Sequence, residues 1–340
     1  MRMTEEDPVI QTNVDASASK RDAVTKGYWN DPYIQYFIKS SERKAPEISR
    51  GYFARVQGVR TLLDKFLKEA GPECQIVNLG AGFDTLFWRL TDDKAEFKSM
   101  VEVDLPAVTT RKCYYIRLRK QLLKVVATED AMNELFLQQH QKSSGVSTPS
   151  FADDDVKFNS SDFHSQRYHL VGCDLRELDV FEAKVVHESG LDLKLPTVFL
   201  AECVLVYMSL EESSALLSWI TRNFANAVLI NYDPVNMDDK FAEVMVENLK
   251  RRNCLLAGLQ ACSSLKSQEE RILATGWNQC RIWNMTQVYH SIPQSELHRV
   301  ERLEPLDEQE LLEQLLAHYC LCVAYKGGGT PSKFATISLT

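Results

Sequence analysis

Short apolar runs rich in β-branched residues alternate along the chain with longer stretches whose apolar positions recur every three or four residues. The runs are CQIVNLG (74–80), KSMVEVD (98–104), RYHLVGCD (167–174), PTVFLAE (196–202) and AVLINYD (227–233). Strands that alternate with helices are joined by crossovers and form a parallel sheet. The fourth and fifth runs are almost wholly apolar, as strands covered on both faces must be, and so predict the centre of that sheet. EESSALLSWITRNF, before the fifth run, reads as a crossover helix, and NQCRIWN (278–284) and HYCLCVAYK (318–326) extend the sheet at one edge. The expected architecture is α/β, a doubly wound and mostly parallel Rossmann-like sheet.

Upstream of the first run, Tyr52, Val56, Val59, Leu63 and Phe66 repeat at helical spacing and mark a buried stripe. Residues 237–277 and 286–317 are longer than a crossover needs and read as helical insertions. With the N-terminal helices (20–72) they are candidates for a cap over the carboxyl edge of the sheet, where open α/β sheets bind ligands. A single domain is expected over 20–326. Residues 1–19 and 327–340 read as loose tails, and the Ser- and Asp-rich stretch 143–165 as a mobile surface loop.

Composition narrows the function classes. Hydrophobic residues make up 44% and charged residues 25%, the balance of a globular chain. A net charge of −8 would repel a phosphate backbone, so nucleic acid is not an expected partner. No apolar run approaches the roughly 18 residues that span a bilayer, and the start MRMTEED has no secretory pattern. The nine cysteines are scattered in apolar surroundings and read as reduced thiols, so a cytoplasmic location is expected.

The first strand runs into Gly80-Ala81-Gly82-Phe83-Asp84-Thr85, a G-x-G turn opening a helix that Asp84 or Thr85 can cap. The turn lets backbone approach a ligand, or is an ordinary tight βα connection. A dinucleotide fingerprint wants a third glycine where Thr85 stands, which disfavours a nicotinamide cofactor. Asp104 ends the second strand 24 residues after Gly80, where nucleoside sites place the acid that accepts ribose hydroxyls; Glu102 is the fallback. With Asp174, Glu202 and Asp233, four of five strands end in a carboxylate. Such a row suits hydroxyls, an exocyclic amine and an ammonium, as in S-adenosylmethionine, and would repel the phosphates of ATP. Glu202 interrupts an apolar segment and so needs donors. Arg55 lies on the apolar stripe and needs an anion, either a ligand carboxylate or a protein one. Tyr207 and Tyr232 border the same edge, as acceptor contacts or as core. His318, Cys320 and Cys322 share a strand face but form no metal motif, the Lys250-Arg251-Arg252 triplet reads as solvated surface, and no metal is expected.

The strings KGYWNDPYIQYFI, RKAPEISRGYFARVQGV, QIVNLGAGFDTLFWRL, VEVDLP, GCDLREL, AECVLVYM and LLEQLLAHYCLC give the chain a resemblance to the leucine carboxyl methyltransferases over about Ser19–Lys326. The resemblance implies a class I S-adenosylmethionine-dependent methyltransferase fold. It implies that Lys20, Arg55, Gly80, Asp104, Asp174, Leu175 and Glu202 surround that cofactor, with Arg55 on its methionine carboxylate. It implies as acceptor the α-carboxylate of the C-terminal leucine of the protein phosphatase 2A catalytic subunit. An α-carboxyl is already ionised at neutral pH, so no residue is expected to serve as general base. A small-molecule O-methyltransferase of the same fold and an inactive cofactor-binding module are the alternatives. A related branch acting on modified tRNA carries a propeller domain, for which 340 residues leave no room. The N-terminal tail and the 143–165 stretch depart from the family pattern.

Overall fold

A computed structural model describes residues 8–39, 42–128, 156–327, 329 and 332–339. Nine strands form one sheet: β1 (Gln75–Leu79), β2 (Ser99–Asp104), β3 (Val156–Phe158), β4 (Phe163–Ser165), β5 (Tyr168–Gly172), β6 (Thr197–Glu202), β7 (Ala227–Pro234), β8 (Gln279–Asn284) and β9 (Tyr319–Lys326). They lie in the order β3-β4-β5-β2-β1-β6-β7-β9-β8. The five runs expected to be parallel are β5, β2, β1, β6 and β7, side by side and all parallel. The winding runs outward from β1 in both directions, so the order reverses there, which is the topological switch point of a doubly wound sheet. β9 inserts antiparallel between β7 and β8, and a β3–β4 hairpin adds the opposite edge.

Side-chain alternation divides the interior in two. Ile76, Met100, Val198 and Val228 enter one core with Phe53 and Phe66 of the upstream helix, whereas Val77, Val101, Phe199 and Leu229 enter another with Leu216 and Leu217. Every residue of β1 and β7 is buried, the polar Gln75, Asn78, Asn231 and Asp233 included, as in strands covered on both faces. The helices are α1 (Pro8–Lys26), α2 (Pro46–Ala70), α3 (Leu86–Asp92), α4 (Pro106–Leu118), α5 (Lys120–Val126) and α6 (Leu178–Glu182), which runs into a wide turn at Ala183–Glu188. After β6 come α7 (Leu210–Asn223), α8 (Lys240–Arg251), α9 (Leu265–Leu273), α10 (Met285–Ser291), α11 (Gln294–Glu301) and α12 (Gln309–Ala317). α7 starts at a capping box, Ser209 accepting from the Glu212 N–H while Glu212 accepts from the Ser209 N–H.

Three expectations about the ends and the loop need correction. Residues 1–19 are not simply a tail, because α1 begins at Pro8 and buries Ser17, Ser19 and Ala23. α1 packs against α2, and buried residues as small as these leave no apolar period to read. Residues 327–340 are not simply loose: Phe334, Ile337 and Leu339 are buried, with the Phe334 ring centroid 5.8 Å from that of Phe66. Isolated anchors of that kind carry no periodicity either. Of the 143–165 stretch, Val156–Phe158 and Phe163–Ser165 are strands of the edge hairpin, and 143–155 lie outside the described residues. No helix among the described residues is long and apolar enough to cross a membrane.

Candidate functional site

β1 leaves the sheet at its carboxyl edge into a turn that only glycine fits. Gly80 has φ +61°, and a Cβ there would lie 2.5 Å from Val204 Cγ2; Gly82 has φ +52°, and its Cβ would meet Asn13 Oδ1. Both positions thus combine left-handed backbone with no room for a side chain. Asp104, at the tip of the neighbouring β2, holds the turn by accepting from the Gly82 N–H at 2.6 Å, and its other oxygen accepts from the Leu105 N–H at 2.7 Å. Each carboxylate oxygen has a further lone pair, so two hydroxyls can still be bound. Burial raises the Asp104 pKa, against the opposing pull of those backbone bonds.

Beside this turn lies a cleft of about 830 Å³, whose walls include Lys20, Arg55, Gly80, Asp104, Asp174, Leu175, Glu202, Tyr207 and Tyr232. The seven expected cofactor contacts and the two expected acceptor contacts therefore line one cleft. The volume is in the upper part of the usual range for small-molecule sites, roughly 300–1,000 Å³, enough for a cofactor and part of an acceptor. At its centre Arg55 Nε donates to Glu202 Oε2 at 2.5 Å and Nη2 donates to the Glu202 carbonyl at 3.2 Å. The guanidinium also lies over the Tyr232 ring at 4.5 Å. Lys20 Nζ is 3.9 Å from the same carboxylate. Burial pushes the Glu202 pKa up, but Lys20 and Arg55 outweigh it and hold the acid below its ordinary value. Both alternatives for Arg55 meet here: it pairs with a protein carboxylate, and it lines the cleft with donor capacity left over.

Cys203 follows Glu202 with φ +56°, a conformation that non-glycine residues take when the surroundings impose it. Its N–H donates to the Tyr232 carbonyl at 2.6 Å, turning the chain out of β6 so that Cys203, Tyr207 and Glu202 all reach the cleft. The Cys203 thiol is pushed up to about 12 by burial and stays protonated. Asp174 is held mainly by Arg176, whose Nε donates to it at 2.9 Å.

Several expectations shift. Glu102 is removed from the cleft, because its side chain is fully buried and paired with Lys112 at 2.5 Å. Asp233 does not line the cleft: its side chain is buried near the end of β7 with Arg271 at 3.8 Å and Asn231 Nδ2 at 3.2 Å. Arg252 is not merely solvated surface, since it lines the cleft and pairs with Asp15 of α1, joining α1 to the end of α8. Sequence reasoning missed Asn13, which lay in the supposed tail, Tyr52, which reads as core stripe, and Asp84, which reads as a cap. Asp84 does hold the entry to α3, where Thr85 is the N-cap without a side-chain cap bond, by accepting from the Thr85 and Leu86 N–H groups, yet it also lines the cleft. Burial would raise its pKa, but Lys20, Arg89 and Lys112 hold it well below the carboxylate range. The first insertion lines the cleft through Phe241, Val244, Met245, Asn248 and Leu249 of α8, the second only through Leu315 and Leu316.

Asp233 has a measurable consequence. Burial pushes its pKa up to about 6 against the pull of Arg271 and Asn231. An acid whose folded pKa exceeds its unfolded value binds more protons when folded, so its contribution to stability declines as pH rises from about 4 through about 6. Asp233→Asn should therefore gain stability relative to the parent chain over that interval, by up to about 3 kcal/mol. Urea unfolding of both proteins at a series of pH values checks this; a constant difference would contradict it.

The cleft fits S-adenosylmethionine by donor and acceptor chemistry. Asp104 has acceptor capacity for ribose hydroxyls, Glu202 and Asp84 are ionised acceptors for an ammonium, and Arg55 and Lys20 are cations for a carboxylate. Asn13 Nδ2, buried in the cleft-lining α1, has no hydrogen-bond partner among the described residues. The family model described as leucine carboxyl methyltransferase matches residues 8–221. The chain is 45% identical over 326 residues to leucine carboxyl methyltransferase 1 of Bos taurus, covering 96% of this chain and 92% of that protein. To the Rattus norvegicus protein of the same name it is 44% identical, over 95% of this chain and 91% of the relative. It is also 32% identical to tRNA wybutosine-synthesizing protein 4 of Homo sapiens, across 94% of this chain but 44% of that longer protein. Its fold is that of class I methyltransferases, its cofactor is S-adenosylmethionine, and the chain belongs to the leucine carboxyl methyltransferase family.

Proposed function

We propose that this chain transfers the methyl group of S-adenosylmethionine to the α-carboxylate of the C-terminal leucine of the protein phosphatase 2A catalytic subunit, forming a methyl ester in the cytoplasm. The observation that carries this reading is the mixed lining of the cleft. Its walls combine the polar Arg55, Lys20, Glu202, Asp84 and Asp104 with the apolar Ile10, Phe241, Met245, Leu249 and Leu256. An aliphatic side chain with a carboxylate beside it matches a lining of that kind. The bound cofactor supplies an electrophilic methyl on a positively charged sulfur. Asp104 holds the ribose, and Glu202, Arg55 and Lys20 hold the amino-acid end. Gly80 and Leu175 shape the wall, and Asp174, on the same strand edge, offers a further acceptor. Tyr207 and Tyr232 border the acceptor.

The protein's part in the reaction is to orient the carboxylate oxygen in line with the methyl group and to exclude water, which supplies most of the acceleration in a transfer between preformed groups. No histidine lines the cleft among the described residues, and burial pushes the Cys203 thiol and the Tyr207 hydroxyl up, away from neutrality. kcat for ester formation should accordingly show no essential group titrating near pH 7. The deciding experiment is methyl transfer from labelled cofactor to the intact phosphatase and to the phosphatase lacking its terminal leucine. Base-labile label on the intact protein alone is expected; equal labelling of both would refute the assignment.

A further inference from the structure

The sheet edge opposite β8 carries a second cluster of ligating groups, none of which lines the cleft. β4 and β5 are antiparallel, and His164 stands directly opposite His169. Cross-strand partners share a face, and here the two Nδ1 atoms approach to 3.2 Å. Two imidazole nitrogens at that separation either share one proton or face one ion: a tetrahedral centre with metal–nitrogen bonds of about 2.0–2.1 Å sets its nitrogens roughly 3.3 Å apart. Donor atoms of Asp162, His164 and Glu188 lie within 4.8 Å of one another, and His164, His169 and Glu188 open into one surface concavity. The Lys184 ammonium already pairs with Asp162 and lies 3.4 Å from Glu188, so the carboxylates hold a positive charge between them. Asp162 is fixed further by the Gly172 N–H at 2.8 Å and the Asn159 amide at 2.8 Å, whereas the Glu188 side chain is half exposed and can turn.

The geometry points to a divalent transition-metal site, Zn²⁺ by its donor set, held by Asp162, His164 and Glu188, with His169, whose Nδ1 is 3.2 Å from that of His164, at the fourth position. Imidazole and carboxylate donors suit that ion, and hard cations such as Mg²⁺ prefer oxygen alone. The ion would tie the edge hairpin β3–β4 to the turn at Ala183–Glu188, closing a sheet edge that a short hairpin otherwise ends. The expectation that no metal is bound rested on the lack of a metal-binding motif, in the His318, Cys320 and Cys322 set or elsewhere along the sequence. These ligands come from a hairpin, a central strand and a helical turn, so no sequence spacing marks them. Lys184 is the competitor, a cation that leaves Glu188 when the metal arrives.

Calorimetric titration of the chelator-treated full chain with ZnCl₂, and absorbance titration with CoCl₂, test the site. One Zn²⁺ per chain is expected, with affinity lowered at least about tenfold by His164→Gln or His169→Gln. Lys184→Met, by removing the competing cation, should raise the affinity several-fold. The Co²⁺ spectrum should lack the charge-transfer band of thiolate ligands, which separates this site from the nine cysteines. Melting curves recorded in chelator should be the same for the parent and the histidine variants, so that lost binding is not lost folding. Equal Zn²⁺ affinity in the parent and the His164→Gln/His169→Gln double variant, a thiolate band, or no binding at micromolar ion would overturn the proposal.

Discussion

Arg55→Ala is expected to lower kcat/KM for methyl transfer by about 30- to 5,000-fold, the equivalent of roughly 2–5 kcal/mol. The size follows from what the guanidinium joins. It is 8% exposed, bonds the Glu202 carboxylate at 2.5 Å and the Glu202 carbonyl at 3.2 Å, and stacks over Tyr232. Alanine removes the cation proposed to meet the cofactor's carboxylate and also leaves Glu202 with Lys20 alone, at 3.9 Å. Lysine should not rescue the loss, because a single ammonium cannot span both Glu202 oxygens while lying flat on a ring. The double variant Arg55→Ala/Glu202→Gln separates the two contributions. If Arg55 served only to neutralise Glu202, which itself meets the cofactor, the double variant would bind cofactor as well as the Glu202→Gln single variant does. With Arg55 on the cofactor, the double variant binds more weakly than Glu202→Gln while stability recovers relative to Arg55→Ala. Calorimetric titration with the cofactor and a melting curve of each variant give both readouts, and a cofactor affinity in Arg55→Ala within about twofold of the parent would remove Arg55 from the cofactor site.

The parts of this molecule that were legible from sequence are those in which one physical requirement acts on consecutive residues. Burial on both faces writes β6 and β7 as continuous apolar runs, and the left-handed turn after β1 requires glycines at 80 and 82, so sheet, turn and cleft edge could be placed. Arg55 and Glu202 were legible as charges at apolar positions, and the structure shows them answering one another. What sequence concealed depends on contacts between distant segments. α1 packs through Ser17, Ser19 and Ala23, which give no apolar stripe, although the helix forms one wall of the cleft. Arg252 reads as the charged end of a helix until Asp15 is brought to it. The four carboxylates at strand ends look equivalent in one dimension. Asp233 differs because Arg271, on a helix 38 residues later, covers it.

Lys112→Met tests the buried counterpart of the Arg55 pair, and should destabilise the chain by about 3–5 kcal/mol at pH 7. Lys112 and Glu102 are both wholly inaccessible, 2.5 Å apart, and share their remaining capacity with neighbours: Tyr168 donates to the same Glu102 oxygen at 2.7 Å, and Lys112 donates to the Asp84 carbonyl at 2.7 Å. The ammonium also lies near the rings of Phe37 and Trp88. Burial raises the Glu102 pKa and Lys112 works against that rise; without the lysine the acid must hold an uncompensated charge or take up a proton. Since the folded pKa of Glu102 would then lie further above its unfolded value, the deficit is largest at high pH and shrinks as pH falls. Replacing both partners, in Lys112→Met/Glu102→Leu, should restore most of the loss, because an apolar pair of similar size carries no charge to desolvate. The effect reaches the cleft through Asp84, whose carbonyl Lys112 holds and whose carboxylate lines the cleft, so the single variant should bind cofactor more weakly even where it remains folded. Urea unfolding at pH 5 and pH 8 with both variants provides the check: a loss below about 1 kcal/mol in the single variant, or no recovery in the double, would show that this pair is not what holds the floor of the site.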